Sequence, residues 1–253
     1  MAIEHLFFHQ TSFDTVYVPH PERSHAATFF DVSPYPYIDG SSPITEFDEK
    51  PLVRWLMLTE LSRVLIFEQL GLPADAWYRP EVVKPFYAAG EGDIDLILCP
   101  ALAPHLAFAL ECKRVKVEAV NAGQDRINKL HGVAGGVRQA NALYNGKFAF
   151  FQTWLCILTE VEASRDERNF PNRGVRSYTT PQKDDTGRTT FRQIVEFPGR
   201  ENLNRDIGVV FVEIVQPQKL SIDRQATVRV CAYRRAECRD QLDSVTKRVM
   251  EII

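Results

Sequence analysis

Apolar and polar positions divide the chain into blocks of different period. PLVRWLMLTELSRVLIFEQL (51–70) is rich in leucine and apolar on nearly every side. That is the pattern of one largely buried helix, stopped by Gly71 and Pro73. Three strand-like runs follow: EVVKPFYAAG (81–90), DIDLILC (93–99) and LAFALECKRVKV (106–117). A helical stretch is predicted from about Gln124 to Tyr144, with Gly132, Gly135 and Gly136 placed to break it in two. KFAFFQTWLCILTEV (147–161), DIGVVFVEIV (206–215) and ATVRVCAYR (226–234) read as further strands, and RDQLDSVTKRVMEII (239–253) as an amphipathic closing helix.

Two segments fall outside these periods. Residues 1–50 contain Pro19, Pro21, Pro34, Pro36 and Pro43 and read as an N-terminal extension packing on the core. Residues 163–206 are polar and Arg-rich, an insertion in which DDTG (184–187) is expected to turn between two short strands. Helix, three strands, helix and strand in that order make residues 51–253 an α/β domain with one mixed sheet.

Within this pattern, two apolar strands carry charge. Side chains alternate across a strand, so Asp93 and Asp95 share one face, and Glu111 and Lys113 share another. If the strands are neighbours, two or three carboxylates and one ammonium gather on a sheet surface with hydrophobic backing. Buried charges need partners, and a divalent cation supplies one. Mg²⁺ prefers oxygen ligands and takes one or two carboxylates plus waters and phosphate oxygens, so the set suits phosphodiester chemistry. The plainer reading is a same-face ion pair at Glu111 and Lys113, with Asp93 and Asp95 flanking a turn at Gly90–Gly92.

Helix, then GDID, then ECK on the next strand resembles the PD-(D/E)xK nuclease superfamily, which includes many restriction enzymes, Holliday-junction resolvases and RecB-type nuclease domains. The match spans about residues 55–161, and the literal "PD" is absent because Gly92 precedes Asp93. The resemblance implies a restriction-endonuclease-like core, α-β-β-β-α-β, and hydrolysis of nucleic acid with Mg²⁺ or Mn²⁺. Asp95 and Glu111 then hold metal, Lys113 positions or activates the water, and Glu60, on the preceding helix, is a further metal contributor. Glu68 is the second choice on that helix, and Asp93 replaces Asp95 if the register differs. Glu60 read plainly is a surface acid paired with Arg63 or Arg54. In GGVRQANALY, Gln139 assists catalysis or is an ordinary surface amide, and Tyr144 lies five residues on, a wider spacing than in RecB-type relatives. Arg114, Lys116 and Arg138 are assigned to phosphate contacts.

Composition narrows the partner. The chain has 253 residues, 45% hydrophobic and 25% charged, an ordinary globular balance. Net charge is −3, yet residues 1–50 hold eight acids against Arg23 and Lys50, a net of −6, so the other 203 residues carry +3. That permits a polyanionic partner, with DNA expected in preference to RNA. No uncharged apolar run of about 18 residues occurs, and MAIEHLFFHQ lacks the form of a signal peptide, so no membrane and a cytoplasmic setting are expected. Five cysteines without a CxxC pair point to reduced core residues rather than a disulfide frame or zinc site. The expected role is a DNA endonuclease, an effector in defence or DNA processing, working as a homodimer or under a partner protein. The rival expectations are a nuclease-fold binding or scaffold subunit without turnover and an RNA-directed nuclease.

Overall fold

The computed structural model describes residues 14–15, 30–32, 49–82, 93–121, 124–146, 149–161, 186–215 and 226–252. These form an α/β unit around one mixed sheet. Its longest strand, β5 (Phe108–Asn121), lies antiparallel to β4 (Ile94–Cys99), which pairs antiparallel with β3 (Trp77–Val82). On its other side β5 runs parallel to β7 (Gln152–Val161), and β7 parallel to β8 (Gly208–Val215). β9 (Ala226–Arg234) follows antiparallel and receives β1 (Asp14–Thr15) and β2 (Phe30–Val32), so residues ahead of 50 join the same sheet. β6 (Gln124–Asn128) pairs with the far end of β5.

Alternation along the strands gives two buried faces. Leu96, Leu98, Leu110, Cys112, Cys156, Leu158 and Val212 face α1 (Glu49–Leu58) and α2 (Glu60–Leu70). Val115, Val117, Leu155, Ile157 and Phe211 face α3 (Leu130–Asn145) and α4 (Thr186–Arg200). Ile97 and Ala109, further along that second face, pack against Val245 and Val249 of α5 (Asp243–Ile252). Four of the five free cysteines are buried and Cys238 is exposed. Among the described residues no helix is long and apolar enough to cross a membrane.

Four departures from the sequence pattern have physical reasons. The expected single helix over 51–70 is two, separated at Thr59, whose backbone is extended. The Ser62 hydroxyl donates to the Leu56 carbonyl and the Arg63 guanidinium to the Met57 carbonyl, satisfying groups the break leaves open. Gly71 closes α2 in the left-handed conformation (φ 79°) that glycine adopts without strain. The first strand starts earlier, at Trp77, and most of the expected 81–90 run lies outside the described residues. Residues 124–128 are a strand, since β5 outruns β4 and its free edge accepts another partner; α3 then runs unbroken through its three glycines. Finally, 186–200 is helical where a turn and strands were expected. Phe191, Ile194, Val195 and Pro198 repeat at helical spacing there, and the buried Ile194 and Val195 join the core. Residues 163–185 lie outside the described residues.

Candidate functional site

β5 pairs with β7 continuously from Phe108 to Val117. Its opposite edge is shared: β4 pairs with Phe108 to Leu110, and β6 with Lys116 to Asn121. Residues 111–115 therefore face a gap between two strand ends. Backbone donors in such a gap need other acceptors, and two carboxylates supply them. Asp95, at the start of β4, accepts from the Cys112 N–H through Oδ2 at 2.7 Å. Glu49, in the first turn of α1, accepts from the Arg114 N–H through Oε2 at 2.9 Å.

Lys113 Nζ lies among the acids, 3.1 Å from Glu49 Oε1, 3.8 Å from Asp95 Oδ2 and 2.7 Å from Glu111 Oε1. It also donates to the Cys112 carbonyl at 2.7 Å. Glu111 is 2% exposed, and its Oε1 has charge attraction from Lys113 but no aligned hydrogen bond. One ammonium thus faces three carboxyl groups. Burial, reinforced by the charge of Asp95, pushes the Glu111 carboxyl up to about 8. Burial also raises Asp95, against the opposing pull of Lys113 and the Cys112 N–H. For Lys113, burial alone would lower the amine, but Glu111, Asp95 and Glu49 together carry it above the usual lysine range. The ammonium is therefore retained at neutral pH.

Asp95, Glu111 and Lys113 come together as expected, and Glu49 joins them unforeseen. Asp93 sits at the rim, 3.9 Å from Lys50 Nζ. Glu60 and Glu68 do not join the cluster: both are exposed on α2, which packs on β9 and β2, whereas α1 packs on β3, β4 and β5. The helix break at Thr59 separates the two directions, so the helix acid at the site is Glu49 rather than Glu60. Arg114 and Lys116 are not surface phosphate contacts, since both are buried on the face opposite Lys113, and Arg114 is ion-paired with Glu160. Arg138 and Gln139 are exposed on α3, and no hydrogen bond links Gln139 to the acids. Tyr144 points elsewhere: its hydroxyl donates to Asp206 Oδ2 at 2.9 Å, under the Arg239 guanidinium.

The signal for Glu49 was faint: DEK (48–50) immediately ahead of an apolar run, which also describes an ordinary helix start. Among the described residues no group of three or more His, Cys, Asp or Glu side chains is arranged to hold a metal ion; here Lys113 stands between the acids. Compared with known proteins, the chain matches no family model, no curated protein and no solved structure.

Proposed function

We propose that the chain is a metal-dependent nuclease, a DNA endonuclease that hydrolyses phosphodiester bonds. One observation carries the reading: three acids converge on one half-buried lysine in a sheet gap, leaving a surplus of negative charge with oxygen donors only. The donor set, carboxylate oxygens with one of them on the buried Glu111, fits Mg²⁺ or Mn²⁺. Asp95 and Glu111 would hold the ion, with Glu49 in the place given to Glu60 by the sequence. When bound, such an ion polarises a phosphoryl oxygen and acidifies water.

The residues divide the remaining work. Asp95 and Glu49 are each tied through one oxygen to a β5 backbone N–H, so their orientation is fixed by the sheet. Lys113 keeps its proton at neutral pH, so it contributes charge and hydrogen bonds to water or phosphate oxygens rather than removing a proton. The exposed Arg138 remains available to a phosphate backbone. The role in defence or DNA processing, with a second copy or partner protein governing activity, belongs to the same proposal.

The test is cleavage of supercoiled plasmid, linear duplex, single-stranded DNA and RNA, each with Mg²⁺, Mn²⁺ or EDTA. Metal-dependent cutting is expected, falling about 10²–10³-fold in Lys113→Ala with the fold retained. Equal cutting by Lys113→Ala would remove the mechanism. Nucleic-acid binding without cutting by the wild type would favour a silent binding subunit.

A further inference from the structure

Gly136 lies in the middle of α3, where glycine weakens a helix. An ideal Cβ there would fall 2.3 Å from Lys113 Cγ, 3.1 Å from Lys113 Cδ and 3.2 Å from Leu155 Cδ1. Carbon atoms in contact sit about 3.5–4.0 Å apart, so position 136 has no room for a side chain. Its neighbours are not under the same restriction. At Gly132 a Cβ meets nothing within 4 Å, and at Gly135 it meets only Arg138 Nη2 at 3.8 Å.

Relief could come from three directions, and two are closed. α3 cannot lift, because Val133, Val137 and Ala140 on either side of Gly136 are buried against Val115, Leu155 and Ile157. Leu155 is fully buried in the same cluster. What remains is the Lys113 stem. Its Cγ is one bond from Cβ, so displacing it turns χ1 and swings Nζ away from Glu49, Asp95 and Glu111.

We propose that Gly136 is a positioning residue: the bare α3 backbone clamps the aliphatic stem of Lys113 and so holds Nζ among the three carboxylates. The proposal rests on Lys113 being the working cation of the site described above. It adds that the cation is aimed by a helix that contributes no side chain to it.

The experiment uses full-length Gly136→Ala, with Gly135→Ala as control. Acylation of Lys113 Nζ by an amine-reactive ester, read by peptide mass spectrometry, is expected to rise severalfold in Gly136→Ala alone. Mg²⁺-dependent cleavage is expected to fall about 100-fold, the usual consequence of misplacing a working group by about 1 Å, while DNA binding persists. Unchanged acylation in a folded Gly136→Ala protein would overturn the proposal. If Gly136→Ala does not fold, the double variant Gly136→Ala/Lys113→Ala, which lacks the offending Cγ, is expected to fold as Lys113→Ala does; failure of the double variant would also overturn it. The acylation readout needs no nuclease activity, so a wild type that cuts nothing counts against the nuclease reading and leaves the outcome for Gly136 to be read separately.

Discussion

Two regions of one sheet bury charge in opposite ways. Between β8 and β9, Glu213 and Arg229 meet at 3.1 Å, both almost wholly buried, a carboxylate beside a guanidinium. Arg114 and Glu160 are likewise ion-paired across β5 and β7. In the gap beside β5, one ammonium faces three carboxyl groups. A balanced buried pair locks strands in register and has no further use for charge. An unbalanced set is stable only by holding protons or by gaining a cation, and that surplus is what separates a reactive centre from a strut.

The largest effect should come from unbalancing the strut. Arg229→Met leaves Glu213 buried without its counter-charge and should cost ~3–5 kcal/mol in urea unfolding, whereas Arg229→Met/Glu213→Leu should recover most of it. A single variant as stable as the wild type would show that the pair is not structural. Next in size is the response to divalent cation. At pH 8, Mg²⁺ or Mn²⁺ at about a hundred times its dissociation constant should stabilise the wild type by about 2.7 kcal/mol. Asp95→Ala should abolish that gain and Arg229→Met should not.

The smallest effect is pH dependence. Glu111 is raised from the ordinary 4.5 to about 8, so folding takes up a proton between those values. The contribution of Glu111 to metal-free stability should therefore be fully present below 4.5 and be lost as pH rises through 8. Glu111→Gln should flatten that fall, gaining on the order of 2 kcal/mol over wild type at pH 8.5 and little at pH 5. Parallel pH profiles for the two proteins would mean that Glu111 titrates normally.

The sheet was legible where strands are apolar and regular, as in β4, β7, β8 and β9, because burial on both faces leaves long hydrophobic runs. Asp95, Glu111 and Lys113 were legible as exceptions to that rule. Glu49 was not, because its partners lie more than sixty residues away and a first-turn acid is unremarkable on its own. Arg114 and Lys116 were misassigned although alternation already placed them opposite Lys113. What the sequence could not supply was Glu160 on the adjoining strand. α4 was missed because its polar composition hid a helical repeat.

The two carboxylates that close the β5 gap have a consequence apart from chemistry. The Cys112 and Arg114 N–H groups they occupy are the groups an incoming strand would bind. Exposed runs of such donors template self-association. Asp95 and Glu49 therefore act as stoppers in the gap between β4 and β6, and replacing both with alanine would leave two buried N–H groups without these acceptors.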